Sequence, residues 1–176
     1  MILGFIGGMG SGKSLSMVRQ AYSYYLQGYT VYSNMKLNFP YVELTLDLLL
    51  QYSNDDIPFY DSVLLIDEIH IFMDSRRSGS IRNVLISYFI TQTRKQKVKL
   101  MYTTQYLIQV DKRLRQNTSA LTKCRQIKVG NGLMVTYNII VTEEQTFKDY
   151  FVSNKYYGLY DTEEIIKLTT TNKDLE

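Results

Sequence analysis

The chain has 176 residues, 45% hydrophobic and 21% charged, with a net charge of +3 at pH 7, the profile of a globular protein with a substantial core. No apolar run approaches the roughly 20 residues that span a bilayer, and no basic segment precedes the short run from Ile2 to Ile6, which argues against a membrane span and a signal peptide. Cys124 is the only cysteine, so an intrachain disulfide and a Cys-based zinc cluster are excluded, and a cytoplasmic location is expected.

Ile2 to Ile6 reads as a buried strand. It feeds Gly7-Gly8-Met9-Gly10-Ser11-Gly12-Lys13-Ser14, which fits the phosphate-binding pattern G-x-x-x-x-G-K-[ST]. Leu15, Val18, Tyr22 and Tyr25 then fall at helical spacing, and the helix is expected to stop at Gly28. "YTVYSN" (29–34) reads as a second strand, 35–44 is ambiguous around Pro40, "LDLLLQY" (46–52) looks like a short helix, and 54–58 is a loop. "SVLLIDE" (62–68) is a continuous apolar run closed by two acids, as in a central parallel strand. A polar loop (74–80) leads to a helix running to about Lys95. A strand over 98–105 follows, then a helix to about Gln116. Asn131-Gly132, between two strand-like runs, predicts a hairpin, and the last residues, "TTTNKDLE", look like a frayed tail. The expected fold is α/β, a mainly parallel sheet flanked by helices with a C-terminal antiparallel hairpin on one edge. The expected organisation is a single domain over 1–176, with a core over about 1–125 and the hairpin and acidic tail over about 118–176.

The glycines of the loop let backbone N–H groups turn inward around phosphate oxygens. Gly8, Met9, Gly10, Ser11, Gly12, Lys13, Ser14 and Leu15 are the expected nucleotide-binding residues, with Lys13 reaching the β- and γ-phosphates. Ser14 and Asp67 are the expected Mg²⁺ ligands, so ATP and Mg²⁺ are the expected substrate and cofactor. Glu68 stands where a carboxylate can orient a water for in-line attack, which points to hydrolysis rather than transfer to a metabolite. Gln105 ends a strand on the side where parallel sheets bind ligands, a position from which it could sense the γ-phosphate, and Thr103 and Thr104 are secondary candidates for the same task. A guanidinium that neutralises transition-state charge could come from Arg76, Arg77, Arg82, Arg94, Arg113 or Arg115, and Arg94 is the best placed. His70 has no second His or Cys nearby and receives no role.

Charge is unevenly spread. Ten of the 20 Lys and Arg residues lie between Arg94 and Lys128 against one acid, Asp111, whereas eight acids and four lysines follow from Glu143 onward. The polarity suggests a basic face for a polyanion. Sixteen tyrosines and no tryptophan are unusual; compositional bias and stacking on bases are both open readings.

The order "GGMGSGKS", "LLIDE", a helix ending "QTRKQ" and a strand ending "MYTTQ" resembles the FtsK–HerA superfamily of DNA-pumping ATPases. Within it, the chain is similar to the genome-packaging ATPases of archaeal viruses and to the zonula occludens toxin-like assembly ATPases of filamentous phages. The resemblance covers roughly residues 1–125. It implies a RecA/FtsK-like P-loop fold and a DNA-translocating motor, assembled as a pentameric or hexameric homo-oligomeric ring, with Glu68 as catalytic base, Gln105 as sensor and Arg94 as a finger acting on a neighbouring subunit. It also implies double-stranded DNA as favoured cargo and a capsid portal or membrane partner. Packaging of viral duplex DNA is the leading reading. Extrusion of single-stranded phage DNA, a small-molecule or nucleotide kinase, and a non-catalytic switch or scaffold are the alternatives.

Overall fold

Continuous apolar strands need cover on both faces, and the arrangement of the chain supplies it. A computed structural model describes residues 1–45, 47–50, 59–73, 86–91 and 97–161. Eight strands form one sheet: β1 (Ile2–Ile6), β2 (Thr30–Ser33), β3 (Val42–Glu43), β4 (Ser62–Ile66), β5 (Lys99–Thr104), β6 (Ala120–Val129), β7 (Leu133–Val141) and β8 (Thr146–Val152). Their order is β3-β2-β4-β5-β1-β6-β7-β8. The first five in that order are parallel, and β6 continues parallel to β1 from Leu3↔Ala120 to Ile6↔Lys123. The sheet then turns antiparallel through β6, β7 and β8.

Every residue of β4 is buried, as its unbroken apolar run requires. One sheet face packs Leu3, Phe5, Val31, Val63, Leu65 and Met101 against Met17, Val18 and Ala21 of helix α1 (Lys13–Tyr25). The other packs Ile2, Leu64, Ile66 and Leu100 against Phe59, Ile69, Phe89 and Leu114. That second layer includes helical residues 47–50 (α2), α3 (Ile69–Met73), helical residues 86–91 (α4) and α5 (Lys112–Gln116). Among the described residues no helix is long and apolar enough to cross a membrane.

The expected α/β fold with its antiparallel extension is the one observed, and three details differ. The helix expected after β5 is broken into a 3-10 turn (Leu107–Gln109) and the short α5, because the Asp111 carboxylate accepts from Arg113 N–H and starts a new helix there. The hairpin at Asn131-Gly132, both at positive φ, has a third strand, β8, that the periodicity of the sequence does not predict. Residues 35–44 carry buried Met35, Leu37 and Phe39 into the two-residue edge strand β3. The loop at 74–80 and most of the helix expected to reach Lys95 lie outside the described residues, as does the tail beyond residue 161.

Gly4 makes room for a neighbour. A Cβ there would lie 2.7 Å from Tyr102 Oη and 2.9 Å from Leu121 Cδ1, and the Tyr102 hydroxyl is 3.0 Å from Thr118 Oγ1. Gly4→Ala is therefore expected to destabilise the fold by about 1–3 kcal/mol in urea unfolding, as overpacking does. Gly130→Ala, with no atom within 4 Å, should shift the same measurement by less than about 0.5 kcal/mol.

Candidate functional site

The loop between β1 and α1 is shaped by its glycines. Gly7, Gly10 and Gly12 have φ of 156°, 68° and 85°, and a Cβ on Gly7 would collide with Ser11 Oγ and lie 2.7 Å from the Cys124 carbonyl oxygen. Gly12 is the N-cap of the 13-residue α1 and offers no side-chain acceptor, so nothing on that residue competes for the first-turn amides. These amides and the positive end of the helix face the loop, where an anion is favoured. Lys13 is buried, donates to the Gly8 carbonyl (3.2 Å), and sits 3.8 Å from Glu68 Oε1.

β5 lies between β1 and β4, so the end of β5 stands between the loop and the acidic pair. Thr103 uses this position. Its buried hydroxyl donates to Asp67 Oδ1 (2.6 Å) and accepts from Glu68 N–H (2.8 Å). Ser14 Oγ donates to the same Asp67 oxygen (2.8 Å). From the end of β2, Asn34 clamps the Asp67 peptide twice: its Oδ1 accepts from Asp67 N–H (2.8 Å) and its Nδ2 donates to Asp67 C=O (3.0 Å). Glu68 then turns at φ 48°, an uncommon conformation for a non-glycine residue, held by these contacts. Its Oε2 approaches His70 Nδ1 at 3.4 Å without hydrogen-bond geometry, and both atoms are buried and lack a hydrogen-bond partner.

A cavity of about 530 Å³ opens above the loop. Residues Gly10 to Leu15 form one side, Met35 and Asp67 a second, and Gln126, Tyr157, Tyr160 and Asp161 a third. The third side comes from the C-terminal sheet and the two 3-10 turns beyond β8. Gln126 Nε2 donates to Tyr157 Oη (2.8 Å), while Asn38 N–H and Nδ2 donate to the carbonyls of Leu159 and Gly158 (both 2.8 Å). Burial, with lesser contributions from Asp67 and Tyr157, pushes the Tyr160 hydroxyl up to about 12. A space of this size suits a nucleotide, and the glycine-lined loop, Lys13 and the unpartnered Ser11 Oγ fit its phosphates. Ser14 and Asp67 present hard oxygens suited to Mg²⁺. Among the described residues no group of three or more His, Cys, Asp or Glu surrounds them, so phosphate oxygens and water would complete the shell.

Residues 3–127 match the family model for the ATPase family associated with various cellular activities (AAA). The chain belongs to this AAA family. No curated protein matches it in sequence. Among solved structures, this AAA-family chain is similar to the N-terminal domain of zonular occludens toxin from Neisseria meningitidis, with a TM-score of 0.66 at 19% identity over 91% of this chain and 98% of that one. It is also similar to the KaiC-like protein PH0186 from Pyrococcus horikoshii OT3 (0.57, 14%, 86% and 83%) and to the genome packaging NTPase B204 from Sulfolobus turreted icosahedral virus 2, solved with ATP-gammaS (0.53, 12%, 84% and 95%). At these identities the likeness is one of fold, and it includes both groups that the sequence resembles.

The AAA-family chain thus brings together the loop, Lys13, Ser14, Asp67 and Glu68. Gln105 follows Thr104 at the end of β5, half-exposed, and does not line the cavity. Arg94 lies outside the described residues, with Arg76, Arg77 and Arg82. Among the described residues, the basic residues expected to form one face do not all share one. Lys99 sits at the opposite end of β5, against the Tyr24 and Tyr29 rings, and β6 alternation sends Lys123 and Arg125 to one face and Lys128 to the other. Sequence reasoning gives no role to Asn34 or to the Gln126–Tyr157–Tyr160 wall. "VYSN" is visible as a pattern, but the wall depends on the chain's return after β8. Thr103→Val keeps the shape and removes both hydrogen bonds. It is expected to lower kcat for ATP hydrolysis about tenfold or more with KM changed less than about threefold, and Thr103→Ser should restore most of the loss in steady-state kinetics.

Proposed function

We propose that this P-loop ATPase hydrolyses ATP to translocate DNA, with packaging of a viral genome as its task. The observation that carries hydrolysis is Glu68. Its carboxylate lies behind Lys13, on a backbone turned to φ 48° by Thr103, and one of its buried oxygens has no hydrogen-bond partner. A carboxylate so held can take the proton of an attacking water. In this reading Gly8 to Leu15 bind the nucleotide, Lys13 contacts the β- and γ-phosphates, and Ser14 and Asp67 hold Mg²⁺, which when bound neutralises phosphate charge. Gln105 senses the γ-phosphate, and Arg94 acts on the nucleotide of a neighbouring subunit in a ring of five or six. DNA as cargo is supported by the exposed Lys123 and Arg125, which share one face of β6, and by likeness in fold to a viral genome packaging NTPase. A second cargo reading, an extruded single strand, draws support from the outer face of β6–β8.

Glu68→Gln is expected to keep ATP binding and to lower turnover by about 10²–10⁴-fold, while Lys13→Ala loses binding. Duplex DNA, and not small metabolites, should stimulate the wild-type rate in a phosphate-release assay. Metabolite-dependent phosphoryl transfer would replace the motor by a kinase.

A further inference from the structure

The outer face of the antiparallel extension is built differently from the rest of the sheet. β6 and β7 pair Arg125↔Tyr137 and Lys123↔Ile139, and β7 and β8 pair Tyr137↔Tyr150 and Ile139↔Lys148. Residues paired across strands share a face. Two neighbouring rows therefore cross the three strands, Arg125–Tyr137–Tyr150 and Lys123–Ile139–Lys148. The opposite face carries Cys124, Thr136 and Asn138, which are buried, and Asn138 Oδ1 accepts from Ser16 of α1 (3.1 Å). On the outer face Val135 is buried, but the two rows are open. Tyr137 is 42% exposed and Tyr150 72% exposed, with ring centroids 6.1 Å apart and planes tilted by 31°. Arg125, Lys123 and Lys148 are exposed, and none of the three is ion-paired among the described residues. No Asp or Glu occupies this face within the three strands.

We infer that this face is a stacking platform for an unpaired nucleic-acid strand. The tyrosine pair takes bases, and the cations on the β6 and β8 sides take the phosphates that flank them. A flat sheet with exposed aromatic rings between cations matches what single strands require: π-faces for bases of any sequence and positive charge along the backbone. Duplex DNA hides its base faces in its own stack and cannot use the rings. A second copy of this chain meeting the face by two-fold symmetry would bring two sets of unpaired cations into one interface, at an electrostatic cost. The platform rests on the DNA-motor reading and extends it to a contact with an unpaired strand. It is separate from the nucleotide cavity, so it can be tested without hydrolysis.

The test is fluorescence anisotropy of a labelled 20-residue oligodeoxythymidine with the full chain, without ATP, over a range of salt. Replacing the exposed Tyr137 and Tyr150 together by Ala is expected to weaken binding by at least about tenfold. Tyr150→Phe should bind like wild type, and Arg125→Ala should reduce the salt slope by about one. The duplex of the same sequence should lose less than about threefold in the Tyr-to-Ala variant. Unchanged oligonucleotide binding in that variant overturns the platform, and so does an equal loss for duplex and single strand. A fall in oligomeric mass with unchanged oligonucleotide binding overturns it in favour of a copy-to-copy interface. Because Tyr137 and Tyr150 are exposed, circular dichroism of the variant should match wild type, and a folded variant makes each outcome decisive. DNA-stimulated ATP turnover that survives a failed platform leaves the motor standing; absence of any DNA response in the wild type sinks both.

Discussion

The Thr103 hydroxyl is the point on which the site depends. Asp67 is a carboxylate only 8% exposed, and an unsatisfied buried charge would cost several kcal/mol. Two short hydrogen bonds to one oxygen, from Thr103 and Ser14, offset that cost and fix the carboxylate beside the loop. The same hydroxyl accepts from the Glu68 amide and so holds a left-handed turn that the residue would otherwise avoid. One side chain on β5 therefore couples the candidate metal-binding carboxylate, the candidate base and the phosphate loop. It can do so only because β5 is inserted between β1 and β4.

Asn34 completes the arrangement from the other side. Its amide fills both hydrogen-bonding groups of the Asp67 peptide, a backbone position that the end of β4 leaves without a ladder partner. Polar side chains from β5 and from the end of β2 thus flank the end of β4, where the sheet stops and the chemistry begins. An ATPase site built this way is rigid on its acidic side. Opposite it stands the wall from Gln126 to Asp161, which belongs to the late part of the chain.

The antiparallel extension serves both of its faces. Its inner face approaches the loop, since a Cβ at Gly12 would lie 3.0 Å from Thr136 Oγ1, and it is tied to α1 by Arg19, which bonds Asp149 at 2.6 Å and lies over the Phe151 ring. Its outer face carries the tyrosines and cations. The three strands of the extension therefore lie between the nucleotide cavity and the face with the tyrosines and cations.

The local chemistry is legible because it is written contiguously. The glycine spacing before Lys13 demands an inward-turned backbone, and the apolar run into Asp67-Glu68 demands a buried strand with acids at its end. Asn131-Gly132 announces the hairpin through its need for positive φ. Groups that lie far apart in sequence are not legible in this way. Thr103 meets Asp67 across 36 positions and Gln126 meets Tyr157 across 31, and no pattern of period 2 or 3.6 encodes such meetings. β8 is hidden because an edge strand with one exposed face alternates weakly. The dispersal of the basic residues has the same origin, since a strand sends neighbours to opposite faces while composition sees only one cluster. By itself, then, the sequence determined the phosphate loop, its acidic counterpart and the α/β frame, because backbone sterics and burial act locally. Only the tertiary structure decided which side chains close the site and which face of the sheet stays open, because strand order sets who meets whom.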